Sequence, residues 1–110
     1  MSDENRLCEP QDIIKLVAEK LTAFCGTTLV REPVAMLGED GYYRATIEHR
    51  GKDEEFADPV TVQRGRNGYY LVYLKGGIAT YDKHGRTFPD MKMPEFDEAI
   101  AEIRRGTPGS

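Results

Sequence analysis

Apolar positions recur along this chain with two different periods, and the change of period divides it into helix, sheet and helix. From Pro10 to Cys25, the residues Ile13, Ile14, Val17, Ala18, Leu21, Phe24 and Cys25 share one face of a 3.6-residue repeat, opposite Lys15, Glu19, Lys20 and Thr22. Pro10 suits the first helical position and Gly26 the position that ends a helix. The pattern predicts an amphipathic helix lying on a core. A second helix is predicted from Pro94, with Glu95, Asp97 and Glu98 in its first turns and Arg104 and Arg105 in its last, charges that match the helix dipole. Its stripe of Phe96, Ala99, Ile100 and Ile103 is narrow and covers only part of a sheet.

Between the helices the residues alternate with period two and are punctuated by turn dipeptides, which predicts antiparallel strands near residues 28–36, 42–49, 59–65, 69–75 and 78–82. Pro33 removes a backbone donor from the first, placing it at an edge or breaking it. Residues 52–58 read as an acidic loop. Asn67-Gly68 and Gly76-Gly77 suit two-residue turns, and Tyr69–Leu74 between them is apolar or aromatic throughout, so both of its faces need cover. Turns at those dipeptides would put Val60, Val62, Tyr69, Leu71 and Tyr73 on one face and Tyr70, Val72, Leu74, Ala79 and Tyr81 on the other. Strand 42–49 turns Tyr43, Ala45 and Ile47 inward against Tyr42, Arg44, Thr46 and Glu48. The first face is then the seat of the first helix. The second is left to the last helix, to the segment Phe88–Met93, or to another molecule.

The fold expected is therefore α+β: an N-terminal helix, a five-stranded, mostly antiparallel meander and a C-terminal helix. At 110 residues, this is one domain over 1–110, with flexible ends at 1–8 and 106–110. No apolar run approaches the roughly twenty residues of a membrane span and the N-terminus does not read as a secretory signal, so a cytoplasmic protein with no membrane partner is expected. Nineteen acidic residues against 15 basic ones give a net charge of −4, which argues against direct contact with nucleic acid. Cys8 and Cys25 flank the first helix, roughly 25 Å apart along its axis, too far for a disulfide.

Chemistry-bearing sets are sparse. Asp82-Lys83-His84-Gly85 reads as a turn rather than a metal site, and no metal or other cofactor is expected. The only serines are Ser2 and Ser110, Cys25 lies on the core stripe, and His49 reads as an exposed strand end, so no nucleophile and base come together. The glycines of Gly65-Arg66-Asn67-Gly68 do not lead into a helix and form no phosphate cradle. An enzyme is not expected.

Asp12-Ile13-Ile14 and Leu29-Val30-Arg31-Glu32-Pro33-Val34-Ala35-Met36-Leu37 resemble, across a gap, the start of phage uracil-DNA glycosylase inhibitors, small acidic α+β proteins that mimic DNA. That resemblance implies an acidic inhibitor and transfers no functional residue. The main expectation is a small acidic protein-interaction module of inhibitor, immunity, chaperone or adaptor type. It would bind a protein partner or a second copy through the sheet face carrying Tyr42, Tyr70, Val72, Leu74 and Tyr81, since tyrosines suit interfaces. Two alternatives stand beside it. One is a ligand-binding protein or enzyme with a pocket between sheet and helix that uses tyrosine hydroxyls and His49 or His84. The other is a DNA mimic whose Asp53, Glu54, Glu55 and Asp58 line up with Glu39 and Asp40 along one ridge.

Overall fold

The computed structural model describes residues 7–65, 68–87 and 94–105. Helix α1 (Pro10–Cys25) opens with Pro10 in its first turn and closes on Gly26, whose φ of 69° is left-handed and costs glycine no steric penalty. Six strands follow: β1 (Thr28–Leu29), β2 (Met36–Leu37), β3 (Tyr43–Arg50), β4 (Glu55–Arg64), β5 (Tyr70–Leu74) and β6 (Gly77–Tyr81). Helix α2 (Pro94–Arg105) ends the described chain. The sheet is antiparallel with order β1-β3-β4-β5-β6, and β2 pairs with β3 beside β1. The α+β arrangement expected from periodicity is the one observed. No described helix is long and apolar enough to cross a membrane.

The long first strand expected over 28–36 is two short ones, and the break falls where Pro33 interrupts the ladder. Gln11 of α1 supplies the missing pairing. Its side-chain amide donates to the Pro33 carbonyl at 2.7 Å and accepts from the Ala35 N–H at 2.7 Å. The acidic loop is also shorter than expected, because β4 begins at Glu55, and Pro59 is accommodated within that strand. Pro59 lies opposite Thr46 of β3, whereas β5 pairs with β4 only at Thr61–Arg64, so no ladder bond is lost on that side.

The expected register at the β4–β5 hairpin is corrected by one residue. Gly65 donates to the Tyr69 carbonyl at 2.7 Å, so residues 66–68 connect the strands where a two-residue turn at Asn67-Gly68 was expected. Gly68 takes a φ of 80° at its end, and Asn67 lies outside the described residues. Val62 consequently faces Val72, not Tyr73. A slip of one residue exchanges the faces of a strand. The next turn is displaced too, with Lys75 and Gly76 at φ 49° and 85° as its two central residues. Here the slip is two residues, Val72 meeting Ala79 instead of Tyr81, and faces are preserved.

One inner face results. Ala45, Ile47, Val60, Val62, Tyr70, Val72, Leu74, Ala79 and Tyr81 form a single core with Ile13, Ile14, Val17, Ala18 and Leu21 of α1 and Phe96, Ile100 and Ile103 of α2. Helix α1 lies over β3 and β4, helix α2 over β5 and β6, and the two helices touch. Lys20 of α1 joins them, 3.2 Å from Asp97 and over the Phe96 ring. Phe24, expected on the core stripe, is exposed at the end of α1. Of the N-terminal residues expected to be flexible, Cys8 is held by its N–H to the Lys83 carbonyl at 2.8 Å and by the Tyr70 hydroxyl on its own carbonyl at 2.6 Å. Residues 1–6 and 106–110 and the segment Phe88–Met93 lie outside the described residues.

Candidate functional site

Four of the five residues expected to meet a partner, Tyr70, Val72, Leu74 and Tyr81, are buried under the chain's own helices. Burial, with the Asp97 carboxylate nearby, pushes Tyr81 up to about 12. Tyr42 stands apart from them on the opposite side of the sheet, where the Arg44 guanidinium lies 5.9 Å over its ring. The one-residue shift at β4–β5 causes this division: it gathers Val60, Val62, Tyr70, Val72 and Leu74 inward and turns Leu71 and Tyr73 outward.

The outer face follows from the register. Met36 pairs with Arg44, Arg44 with Thr61, Thr61 with Tyr73 and Tyr73 with Ile78, so these five residues cross the whole sheet as one row. Gln63, Leu71 and Thr80 form the adjoining row. Leu71 and Tyr73 are half-buried by their neighbours, while Ile78 is 41% and Met36 66% exposed. The Tyr73 hydroxyl donates to Gln63 Oε1 at 3.0 Å, leaving its ring for contact. Both described helices stand on the inner face, so neither covers this one.

Charges beside the row are largely paired. Arg44 holds Asp40 at 2.6 Å and keeps its carboxyl down at about 2 through the guanidinium hydrogen bonds and the Tyr42 backbone N–H. Arg50 meets Glu55 at 3.4 Å and Arg31 meets Glu48 at 3.5 Å. Of the acidic set expected on one ridge, Asp53, Glu54 and Glu55 lie at the end of β3, whereas Glu39 and Asp40 lie at its start. Eight residues of strand, roughly 25 Å, separate the two groups. Asp58 is not on the surface at all.

Asp58 points into the core, 5% exposed, with its Oδ2 2.7 Å from Nε2 of His49, which is fully buried. His49, expected at an exposed strand end, continues the inward alternation of Tyr43, Ala45 and Ile47. The Thr27 hydroxyl, just past the end of α1, lies 2.9 Å from Nδ1, and the Phe56 ring stacks on the imidazole at 5.0 Å. Thr27, His49 and Asp58 thus form a hydrogen-bonded chain of the residue types used in nucleophilic catalysis. Sealed in the core, the imidazole has no face open to a substrate. The chain instead ties the end of α1 to β3 and β4.

Two concavities flank Cys8. A cleft of about 300 Å³ is lined by Cys8, Asp12, Lys15, Leu16, Glu19, His84 and Gly85. A groove of about 480 Å³ is lined by Leu7, Cys8, Glu9, Arg64, Gly68, Tyr70 and Lys83. The turn expected over residues 82–85 forms the wall of the first, with Asp82 Oδ1 accepting from the His84 and Arg86 N–H groups at 2.8 and 2.9 Å. Burial works against ionised Asp82, yet these two backbone donors hold its carboxyl below the usual range. No group of three or more metal-ligating side chains converges among the described residues. Comparisons with protein-family models, with curated proteins and with solved structures find no match to this chain.

Proposed function

We propose that this protein is a small, non-catalytic interaction module whose contact surface is the outer face of the sheet, and that the surface is occupied by a second copy of the same chain. The observation that carries this reading is the placement of Leu71, Tyr73 and Ile78 side by side on the face opposite both helices. Sheets pack face to face about 10 Å apart through such rows, and a tyrosine with a satisfied hydroxyl suits the contact.

Charge supports a second copy as the occupant. The outer-face charges Arg44, Glu48, Arg50 and Glu55 have partners within the chain, so the patch offers no net sign for a charged protein to read. Two copies meet there without repulsion, and a two-fold contact needs only this one patch on each. The net charge of −4 likewise offers no footprint for nucleic acid. A cytoplasmic setting accords with two cysteines that form no disulfide. Mixed labelled and unlabelled protein tests the surface by magnetic resonance. Intermolecular contacts from the Leu71 and Ile78 methyl groups to the Tyr73 ring are expected, and intermolecular contacts confined to α1 and α2 would overturn the assignment.

A further inference from the structure

The outer face carries two rows of side chains across the strands, and their chemistry changes from one end to the other. Arg44, Tyr73 and Ile78 belong to the first row, and Gln63, Leu71 and Thr80 form the second. Tyr42 continues the second row beside Gln63, because Tyr43, its neighbour in sequence, pairs with Val62. Two residues of strand, roughly 7 Å, separate the rows. Leu71, Tyr73 and Ile78 make the β5–β6 end apolar, whereas Tyr42 and Arg44 put an aromatic ring and a paired cation at the β3 end. The Tyr73 side chain bridges the rows, since its hydroxyl reaches Gln63.

Two such rows admit few two-fold axes. An axis along the strands between β5 and β6 overlaps only those two described strands with their counterparts, a band of roughly 10 by 17 Å, well below the about 800 Å² that each partner of a stable dimer buries. Moved to β4, such an axis sets Leu71 and Tyr73 on Tyr42 and Arg44 of the second copy, so the apolar end loses its apolar counterpart. An axis across the strands keeps apolar on apolar over the full width of the sheet. Laid along the first row, it would oppose Arg44 to Arg44 of the second copy; midway between the rows, it exchanges them. On the outer-face reading, which this assignment requires, we infer that the second copy docks about the midway axis, with Tyr73 of each chain on Leu71 of the other and Arg44 of each on the Tyr42 ring of the other. Those two pairs fix the register of the contact. Arg44 is held by Asp40 and already lies over its own Tyr42, so a cation–π contact to a second ring brings no unpaired charge into the interface.

Mixing two variants tests the axis. Leu71→Glu and Tyr73→Lys each carry an unpaired charge into the contact, and each should dimerise at least about tenfold more weakly than the unaltered protein in sedimentation equilibrium. In an equimolar mixture the two introduced charges face each other across the contact, so the heterodimer should form at least about tenfold more tightly than either variant alone. Weakened variants whose mixture is no tighter than either alone would overturn the axis and leave the outer face standing. A strict monomer, or a dimer indifferent to both substitutions, would overturn the outer face and the axis with it. Should a variant fail to fold, mixed labelled and unlabelled protein without substitutions decides. Intermolecular contacts from the Arg44 methylenes to the Tyr42 ring are then expected, and contacts from those methylenes to the Tyr73 ring instead, or to neither, would overturn the axis.

Discussion

His49 and Asp58 meet inside the core at 2.7 Å, joined diagonally across β3 and β4 rather than as directly opposed residues. The Asp58 carboxyl bonds one ring nitrogen, Nε2, and the Thr27 hydroxyl bonds the other, Nδ1, so both polar atoms of the buried imidazole are satisfied. Breaking such a pair strands the other member in a site without water. Asp58→Ala is expected to cost about 1–3 kcal/mol in urea unfolding, the penalty of a buried ring nitrogen left without its partner. Thr27→Val should cost only about 1 kcal/mol, as it removes one neutral hydrogen bond from a half-buried group. Equal small effects from both would show that the pair does not stabilise the fold.

The β4–β5 register makes opposite predictions for neighbouring leucines. Leu74 is fully buried and Leu71 faces outward. Leu74→Ala should destabilise by about 2–5 kcal/mol through loss of burial and the cavity left behind. In monomeric protein, Leu71→Ala should cost about 1 kcal/mol or less. The reverse order would restore the register expected from a two-residue turn at Asn67-Gly68.

Lys75 is the one described non-glycine residue with positive φ, at 49° in the turn between β5 and β6. Left-handed backbone crowds its Cβ against the following carbonyl, a cost of about 1 kcal/mol that asparagine bears more easily. Lys75→Asn should therefore raise the melting temperature without altering the sheet. A fall would place the strain elsewhere.

Tyr81 sets a limit at alkaline pH. Its ionised form is favoured in the unfolded chain over the folded one, so its contribution is complete below the ordinary value near 10 and is lost as pH rises through about 12. That window corresponds to about 3 kcal/mol. Far-ultraviolet dichroism should show unfolding within it, together with the last of the tyrosinate absorbance, and Tyr81→Phe should delay the loss. Persistence of the fold with all six tyrosines ionised would contradict the burial.

Much of this architecture is legible in the chain. Pro10, Gly26 and the 3.6-residue stripes mark the helices, and strand alternation marks Tyr43, Ala45 and Ile47 as inward. The same alternation carries on to His49, but its polarity and position before Gly51 suggest an exposed end. Asp58 is hidden similarly, because three acids in the preceding residues make the start of β4 look like loop. The contact face depends on one count. Placing the first turn a residue too tight reverses β4 against β5, whereas displacing the second by two leaves β6 aligned. Period-two structures forgive even errors and not odd ones.

The proposed pairing of outer faces is tested most directly by sedimentation equilibrium across a range of concentrations, comparing the unaltered protein with Ile78→Lys. The protein should show a reversible monomer–dimer equilibrium. The variant, carrying an unpaired charge into the contact, should dimerise at least about tenfold more weakly, a difference of about 1.4 kcal/mol, with unchanged dichroism. A strict monomer at every concentration, or a dimer indifferent to Ile78→Lys, contradicts the assignment of that face.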